Sequence, residues 1–332
     1  MKAGFPAGVE DCGGGEEIGK ERLSTEMEKF YVGADIGGTT IKFGMFSHTG
    51  ELMEKWEIPS RVENEGESIL SDVAASIEEK RAERDGNIMG IGIGVPGPTT
   101  DDGVVLKCPN IHWQVVDVRK RLVELTGVGN VRVGNDANVA ALGEMWKGGG
   151  RGFDSIVMVT LGTGVGGGII LGGKILTGVM GAGGEIGHTK VAWNETETCG
   201  CGGKGCLEQY ASATGIVRMA KKEMRADSRL AAIADITAKD VFDAAKEGDA
   251  YALHIVDQFG MYLGTALANV AHIVDPEAFV IGGGVSKAGD IIIKNVEPYY
   301  NDNVLFALRD KEFRLAQLGN DAGIYGAVRM VL

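Results

Sequence analysis

Apolar and polar positions fall into short blocks separated by glycine. Residues 31–36 are almost wholly apolar, break at Gly37-Gly38-Thr39-Thr40, and resume as an apolar run over 41–47. Such a run, turn and run predicts two strands joined by a tight connection. Residues 52–58 fit a third strand, 67–84 a helix, and 88–95 a buried strand ended by Pro96-Gly97-Pro98. A helix near 116–126, a strand at 131–134 and a helix over 138–146 follow.

The pattern then starts again. Residues 155–161 read as a strand, 162–168 as a glycine turn, and 169–171 as the start of another strand. The echo of 31–47 is one of architecture rather than of residues, and two such segments predict two similar lobes with a cleft between them. Helices are expected over 211–224, 238–245 and 251–274, and a strand at 278–281 runs into Gly282-Gly283-Gly284. A helix at 289–299, a strand at 313–316 and a final helix at 323–331 complete an α/β alternation. Residues 1–29 are rich in Gly and Glu without a period and read as a disordered tail, with Met27 a candidate start.

Length and composition bound this picture. The chain of 332 residues accommodates two domains, and 44% hydrophobic with 24% charged residues is the balance of a soluble globular protein. No apolar run reaches the roughly 18–20 residues of a membrane span. Residues 1–29 lack the apolar segment of a secretory leader, so a cytoplasmic location is expected. A net charge of −13 opposes a nucleic-acid partner, which requires a basic face. The 53 glycines cluster between apolar strands, where backbone turns sharply or approaches a ligand.

Several motifs carry chemistry. Asp35 ends a strand and precedes bare amides and two hydroxyls at Gly37, Gly38, Thr39 and Thr40. This is either a plain hairpin or a phosphate cradle whose acid holds Mg²⁺ through water. Gly162-Thr163-Gly164 opens the same device in the second half, without the Lys-Ser/Thr of a Walker loop or the following helix of a dinucleotide fingerprint. One such turn per lobe suits a polyphosphate clamped from both sides. Asp136, between a strand and a helix, is either a general base or that helix's N-cap. Glu185, His188 and Glu208 lie in glycine-rich or irregular sequence and are either solvated loop groups or acids and an imidazole that bond sugar hydroxyls. Cys199, Cys201 and Cys206 crowd into eight residues, with His188 upstream; the set suits tetrahedral Zn²⁺ or is three free thiols.

Gly184-Glu185-Ile186-Gly187-His188 followed by Cys199-Gly-Cys201-Gly-Gly-Lys-Gly-Cys206-Leu-Glu208 resembles the ROK family of repressors, uncharacterised reading frames and kinases, from about residue 30 to the end. Leu207-Glu208-Gln209-Tyr210, Asn110-Ile111-His112-Trp113 and Gly134-Asn135-Asp136-Ala137-Asn138 are similar to its glucose-phosphorylating branch. The resemblance implies a two-lobed actin/hexokinase-like (ribonuclease H-like) fold. Its first lobe would span 30–143 with the C-terminal helix 321–332, and its second 144–320. It implies ATP with Mg²⁺ held by Asp35, Gly37, Gly38, Thr39, Lys42, Gly162, Thr163 and Gly164, and adenosine beside Gly282, Gly283 and Gly284. The hexose would meet Gly97, Asn110, Asn135, Asp136, Glu185, His188 and Glu208. Asp136 would be the base, and His188 would use its second ring nitrogen on structural Zn²⁺. A homodimer is implied as well. Kinases for N-acetylmannosamine, fructose, mannose or allose share most of these positions. A sugar-sensing repressor is the rival of another class, opposed by the acidity of the chain and by a tail too short for a helix-turn-helix domain.

Overall fold

The computed structural model describes residues 28–84 and 86–332. Strands β1 (Glu28–Ile36), β2 (Thr40–Ser47) and β3 (Leu52–Pro59) form an antiparallel meander. After α1 (Ile69–Ala82), β4 (Gly86–Val95) pairs parallel with β1. A small ribbon of β5 (Val104–Val105) and β6 (Val116–Asp117) precedes α2 (Val118–Thr126), and β7 (Val131–Asn135) closes a sheet of order β3-β2-β1-β4-β7. Helix α3 (Asp136–Lys147) leads out of this sheet. The second sheet opens with β8 (Ile156–Leu161), β9 (Val165–Leu171) and β10 (Lys174–Ile175). Helices α4 (Glu208–Ala211), α5 (Ala213–Lys222), α6 (Ala238–Lys246) and α7 (Ala250–Val274) precede β11 (Ala278–Gly282), α8 (Ile291–Asn303) and β12 (Glu312–Leu315). The order β10-β9-β8-β11-β12 repeats that of the first sheet, with an antiparallel meander followed by two parallel strands. Helix α9 (Ala322–Arg329) then returns to pack on β1, β4 and α3.

Burial explains the patterning. The central strands β4 and β11 are covered on both faces and read as continuous apolar runs, whereas the edge strand β3 alternates. One core lies under the first sheet, around Phe43, Ile77, Ile91 and Trp113, and a larger one surrounds α7 through Phe259 and Leu263. Among the described residues no helix is long and apolar enough to cross a membrane.

The structure moves several expected boundaries. Glu28 and Lys29, placed in the tail by composition, already pair with Gly86 and Asn87, so cross-strand partners override local sequence there. The rest of the expected tail, with Met27, lies outside the described residues. The second glycine turn is shorter than 162–168, because Gly166, Gly167 and Gly168 belong to β9. They are glycines for closeness rather than for turning: a Cβ on Gly168 would stand 2.5 Å from that of Ala141 on α3. The helix expected from 211 is broken at Ser212, whose extended backbone separates α4 from α5 while its hydroxyl caps Gly215.

The lobes join at α3 and α9, which cross with little room for side chains. A Cβ on Gly143 would lie 2.2 Å from the Ala322 carbonyl oxygen, and one on Gly326 1.7 Å from that of Val139. Gly92 in β4 makes the same allowance for Ala327, at 1.7 Å. Immediately after Gly143 on α3, the fully buried Glu144 carboxylate accepts from Gly149 N at 2.8 Å, Gln317 N at 2.9 Å and Leu318 N at 2.8 Å. It thus binds the outgoing and returning chain crossings at one point. Glu144→Gln turns an amide donor toward backbone donors, and leaving buried donors unpaired costs about 1–3 kcal/mol each. Denaturant unfolding is expected to show a loss of at least that size; an unchanged midpoint would remove Glu144 from this role.

Candidate active site

The β1–β2 connection is fixed by its neighbours. Gly37 N bonds the Thr40 carbonyl at 3.0 Å, Ser60 Oγ donates to the Gly37 carbonyl at 2.6 Å, and Ser60 N to that of Thr39 at 2.9 Å. Gly38 and Thr39 remain exposed at the tip. Asp35 and Lys42 face each other across the strands. The half-buried Asp35 carboxyl sits between two glycines: a Cβ on Gly323 would be 2.5 Å from it and one on Gly94 3.4 Å. Burial first, and then the charge of Asp136, push its pKa up to about 6 against the opposing pull of Lys42.

Asp136 is the first residue of α3, and the N-cap is Asn135, whose Oδ1 accepts from Ala137 N at 3.1 Å and Asn138 N at 3.2 Å. The capping alternative for Asp136 is therefore corrected by one residue. Asn135 Nδ2 also donates to Asp136 Oδ1 at 3.0 Å and to the Gly97 carbonyl at 3.2 Å. Burial raises the Asp136 pKa, the Ala137 amide opposes it, and the charge of Glu185 adds to the rise. A carboxyl shifted toward neutrality and still hydrogen-bonded has the make-up of a general base. Asn110 belongs to the same neighbourhood, since a Cβ on Gly38 would lie 3.4 Å from its carbonyl oxygen.

The second connection is held from the cysteine side. Ala213 N donates to the Gly162 carbonyl at 2.8 Å, Thr214 Oγ1 to that of Thr163 at 2.6 Å, and Val165 N to Glu208 Oε2 at 3.0 Å. Glu208 Oε1 faces Cys199 Sγ at 3.7 Å. Glu208 thus sits at the start of a helix and spans the glycine loop and the cysteine cluster, a double contact that the sequence does not reveal. His188 Nδ1 lies 3.8 Å from Cys199 Sγ, and Cys201 Sγ 3.6 Å from Cys206 Sγ. All four donor atoms lie within 4.8 Å of one another, and the cysteines are free. A tetrahedron with metal–sulfur bonds of about 2.3 Å has edges of roughly 3.8 Å, so the donor set matches a four-coordinate thiophilic ion.

Gly283 and Gly284 follow β11 as expected, with Gly283 at φ +85° passing over Leu161. Gly282 is the buried last residue of β11. Gly162, Thr163 and Gly284 open onto a cavity of about 440 Å³ walled by Thr237, Phe242 and Lys287. These last three carry no motif of their own: Thr237 caps α6 and Phe242 lies within it, and Lys287 lies in the short helical turn at Val285–Ala288.

The raised pKa of Asp35 has a defined consequence for stability. Its folded value of about 6 exceeds the ordinary 3.8, so the fold favours the neutral form and loses stability as pH rises from about 4 to about 6. Every tenfold change in proton affinity on folding corresponds to about 1.4 kcal/mol. Asp35→Asn is expected to raise the melting temperature at pH 8, to leave it unchanged at pH 3.5, and to abolish turnover; an equal melting change at both pH values would contradict the assignment.

A model of the ROK family matches residues 31–332. The glucokinase of Halalkalibacterium halodurans is 45% identical over 310 residues, covering 90% of this chain and 94% of that one. A ROK family glucokinase from Streptomyces griseus, solved with glucose and AMPPNP, superposes with a TM-score of 0.71 at 33% identity, covering 91% of this chain and 99% of that one. A ROK family transcriptional regulator, a homologue of the E. coli MLC protein, superposes with a TM-score of 0.79 at 26% identity, covering 91% and 78%. Fold alone therefore does not separate kinase from regulator; the residues in the cleft must. With a family match over nearly the whole chain, and relatives this similar, the protein belongs to the ROK family and has its two-lobed actin/hexokinase-type fold.

Proposed function

We propose that the protein is an ATP-dependent glucose kinase acting at the C6 hydroxyl. The observation that carries this reading is the approach of Asp35 to Asp136 beside the first glycine connection, with the second strand pair close by, a Cβ on Gly166 lying 3.7 Å from that of Ala137, in a chain 45% identical to a glucokinase. Asp136 takes the proton of the C6 hydroxyl as that oxygen attacks the γ-phosphorus, a step that contributes about 10²–10⁴-fold. Gly97, Asn110, Asn135, Glu185, His188 and Glu208 orient the hexose. The amides of Gly37, Gly38 and Thr39 and of Gly162, Thr163 and Gly164 hold the phosphates with Lys42, and Asp35 holds Mg²⁺ through water. Magnesium supplies charge neutralisation on the transferring phosphoryl group. Adenosine occupies the cavity beside Gly283 and Gly284. The lobes are taken as 30–143 with 321–332, and 144–320. A homodimer in the cytoplasm is the assembly and location that accompany this reading.

His188, Cys199, Cys201 and Cys206 are read as a structural Zn²⁺ site, all four positions being filled by protein. His188 then serves the ion through Nδ1 and the sugar through Nε2. The ion would hold the loop that presents Glu208 to Val165, so the second phosphate connection depends on it.

The test is a coupled assay for ADP release with glucose, mannose, fructose, N-acetylmannosamine, N-acetylglucosamine and allose. Glucose is expected to give the highest kcat/KM, and another winner overturns the substrate assignment. Asp136→Asn is expected to lower kcat by at least about a hundredfold while glucose still binds by calorimetry; near-normal turnover removes it as the base. Elemental analysis is expected to find stoichiometric zinc, and Cys201→Ser to lose it with a fall in melting temperature. Metal-free protein of undiminished stability would sink the zinc assignment.

A further inference from the structure

A second cavity, of about 430 Å³, lies on the other side of α3 from the proposed base. Asn138 and Leu142 line it, and Asn138 is turned about 200° around the helix from Asp136. Of the residues proposed for sugar or nucleotide, only Asn135 reaches it. Its volume falls within the roughly 300–1,000 Å³ of small-molecule sites. Its walls come from both lobes: Asp101 and Arg132 from the first, Lys174 from the β9–β10 hairpin of the second, and Arg329 from the end of α9.

The charge of this cavity is opposite to that of the chain. Arg132, Lys174 and Arg329 face one carboxylate, Asp101, in a protein of net charge −13. Among the described residues none of the three cations forms an ion pair, although fifteen such pairs occur elsewhere. Arg329 stands only over the Trp146 ring, at 5.9 Å. Cations gathered without partners at a concave surface create a potential that attracts anions.

Two side chains connect this cavity to the cleft. Asn135 lines it while bonding Asp136 Oδ1 and the Gly97 carbonyl. Asn138, only 2% exposed, donates to the Gly183 carbonyl at a long 3.3 Å, and its Oδ1 has no partner. The Gly183 carbonyl lies two residues before Glu185, on a segment that also walls the cavity through Thr177.

We propose that this cavity is a regulatory site for a sugar phosphate, the class of molecule that glucose phosphorylation releases. The three cations hold the phosphoryl dianion, and the hexose body lies against Asn135 and Asn138. Because its walls belong to both lobes, occupancy fixes the angle between them and restrains Asn135 and the segment leading to Glu185. The inference rests on the kinase reading, and its test separates the two, since uninhibited activity is measured first.

The probe is glucose 6-phosphate added to the full chain, with initial rates measured against glucose at saturating Mg-ATP. The expected result is an inhibition component that excess glucose does not remove. In the double variant Arg132→Ala/Lys174→Ala, that component is expected to weaken by at least about tenfold while kcat and both KM values stay within about twofold. Both side chains are exposed and unpaired, so the variant is expected to fold. Inhibition purely competitive with glucose and identical in the variant would place the sugar phosphate in the active site alone and overturn the proposal. Inorganic phosphate of equal potency would assign the cavity to the free anion and overturn the sugar-phosphate assignment. Failure of the uninhibited enzyme to turn over any hexose would instead overturn the kinase reading.

Discussion

The contact on which the rest of the structure depends is the crossing of α3 with α9 and the burial of Glu144 beside it. Two sheets of the same topology could be joined at many angles. Here the angle is set by helix backbones in near contact through Gly143 and Gly326, and by one carboxylate that accepts from the amides of 149, 317 and 318. Each bond joins a segment leaving the first lobe to one entering or leaving the second. A buried carboxylate is tolerable only when its oxygens are satisfied by donors, and those donors come from chain segments some 170 residues apart in sequence.

The proposed chemistry inherits its geometry from that crossing. The N-terminus of α3 carries Asp136, and the first turn of α9 brings Gly323 against Asp35. The two acids therefore approach because two helices far apart in sequence are locked together behind them. The second connection is fixed independently, by Glu208, Ala213 and Thr214 from the cysteine side. Each glycine connection thus has its own brace, and α3 packs against strands of both sheets.

Much of this was legible in the sequence where function is carried by local composition. The glycine connections at 37–39 and 162–164 and the Cys199–Cys206 cluster each announce themselves within ten residues. What was illegible depends on partners distant in the chain. Gly166–Gly168 read as a continuation of the turn, because nothing local says that α3 will lie against them. Asp136 read as the candidate cap, and only the backbone of α3 shows that Asn135 holds that place. Thr237, Phe242 and Lys287 carry no local signal, since the cavity they wall exists only once α6 packs beside the turn at Val285–Ala288. Gly282 reads as one of three identical residues, and only the sheet register places it inside.

The glycines at the lobe junction also limit how this protein can be improved. Replacing helical glycine with alanine is among the simpler routes to stabilisation, because it narrows the unfolded ensemble at little cost to the fold. At Gly143, Gly323 and Gly326 that route is closed: the space for a methyl group is already filled by a carbonyl oxygen or by a carboxyl in the cleft. A library built on general helix preference would place its variants where the scaffold has least slack. Gly152, Gly172 and Gly289 have open surroundings, but φ values of +98°, +54° and +83° favour glycine there too. Thermostabilisation of this scaffold is therefore better directed at surface charge and loop closure than at its abundant glycine.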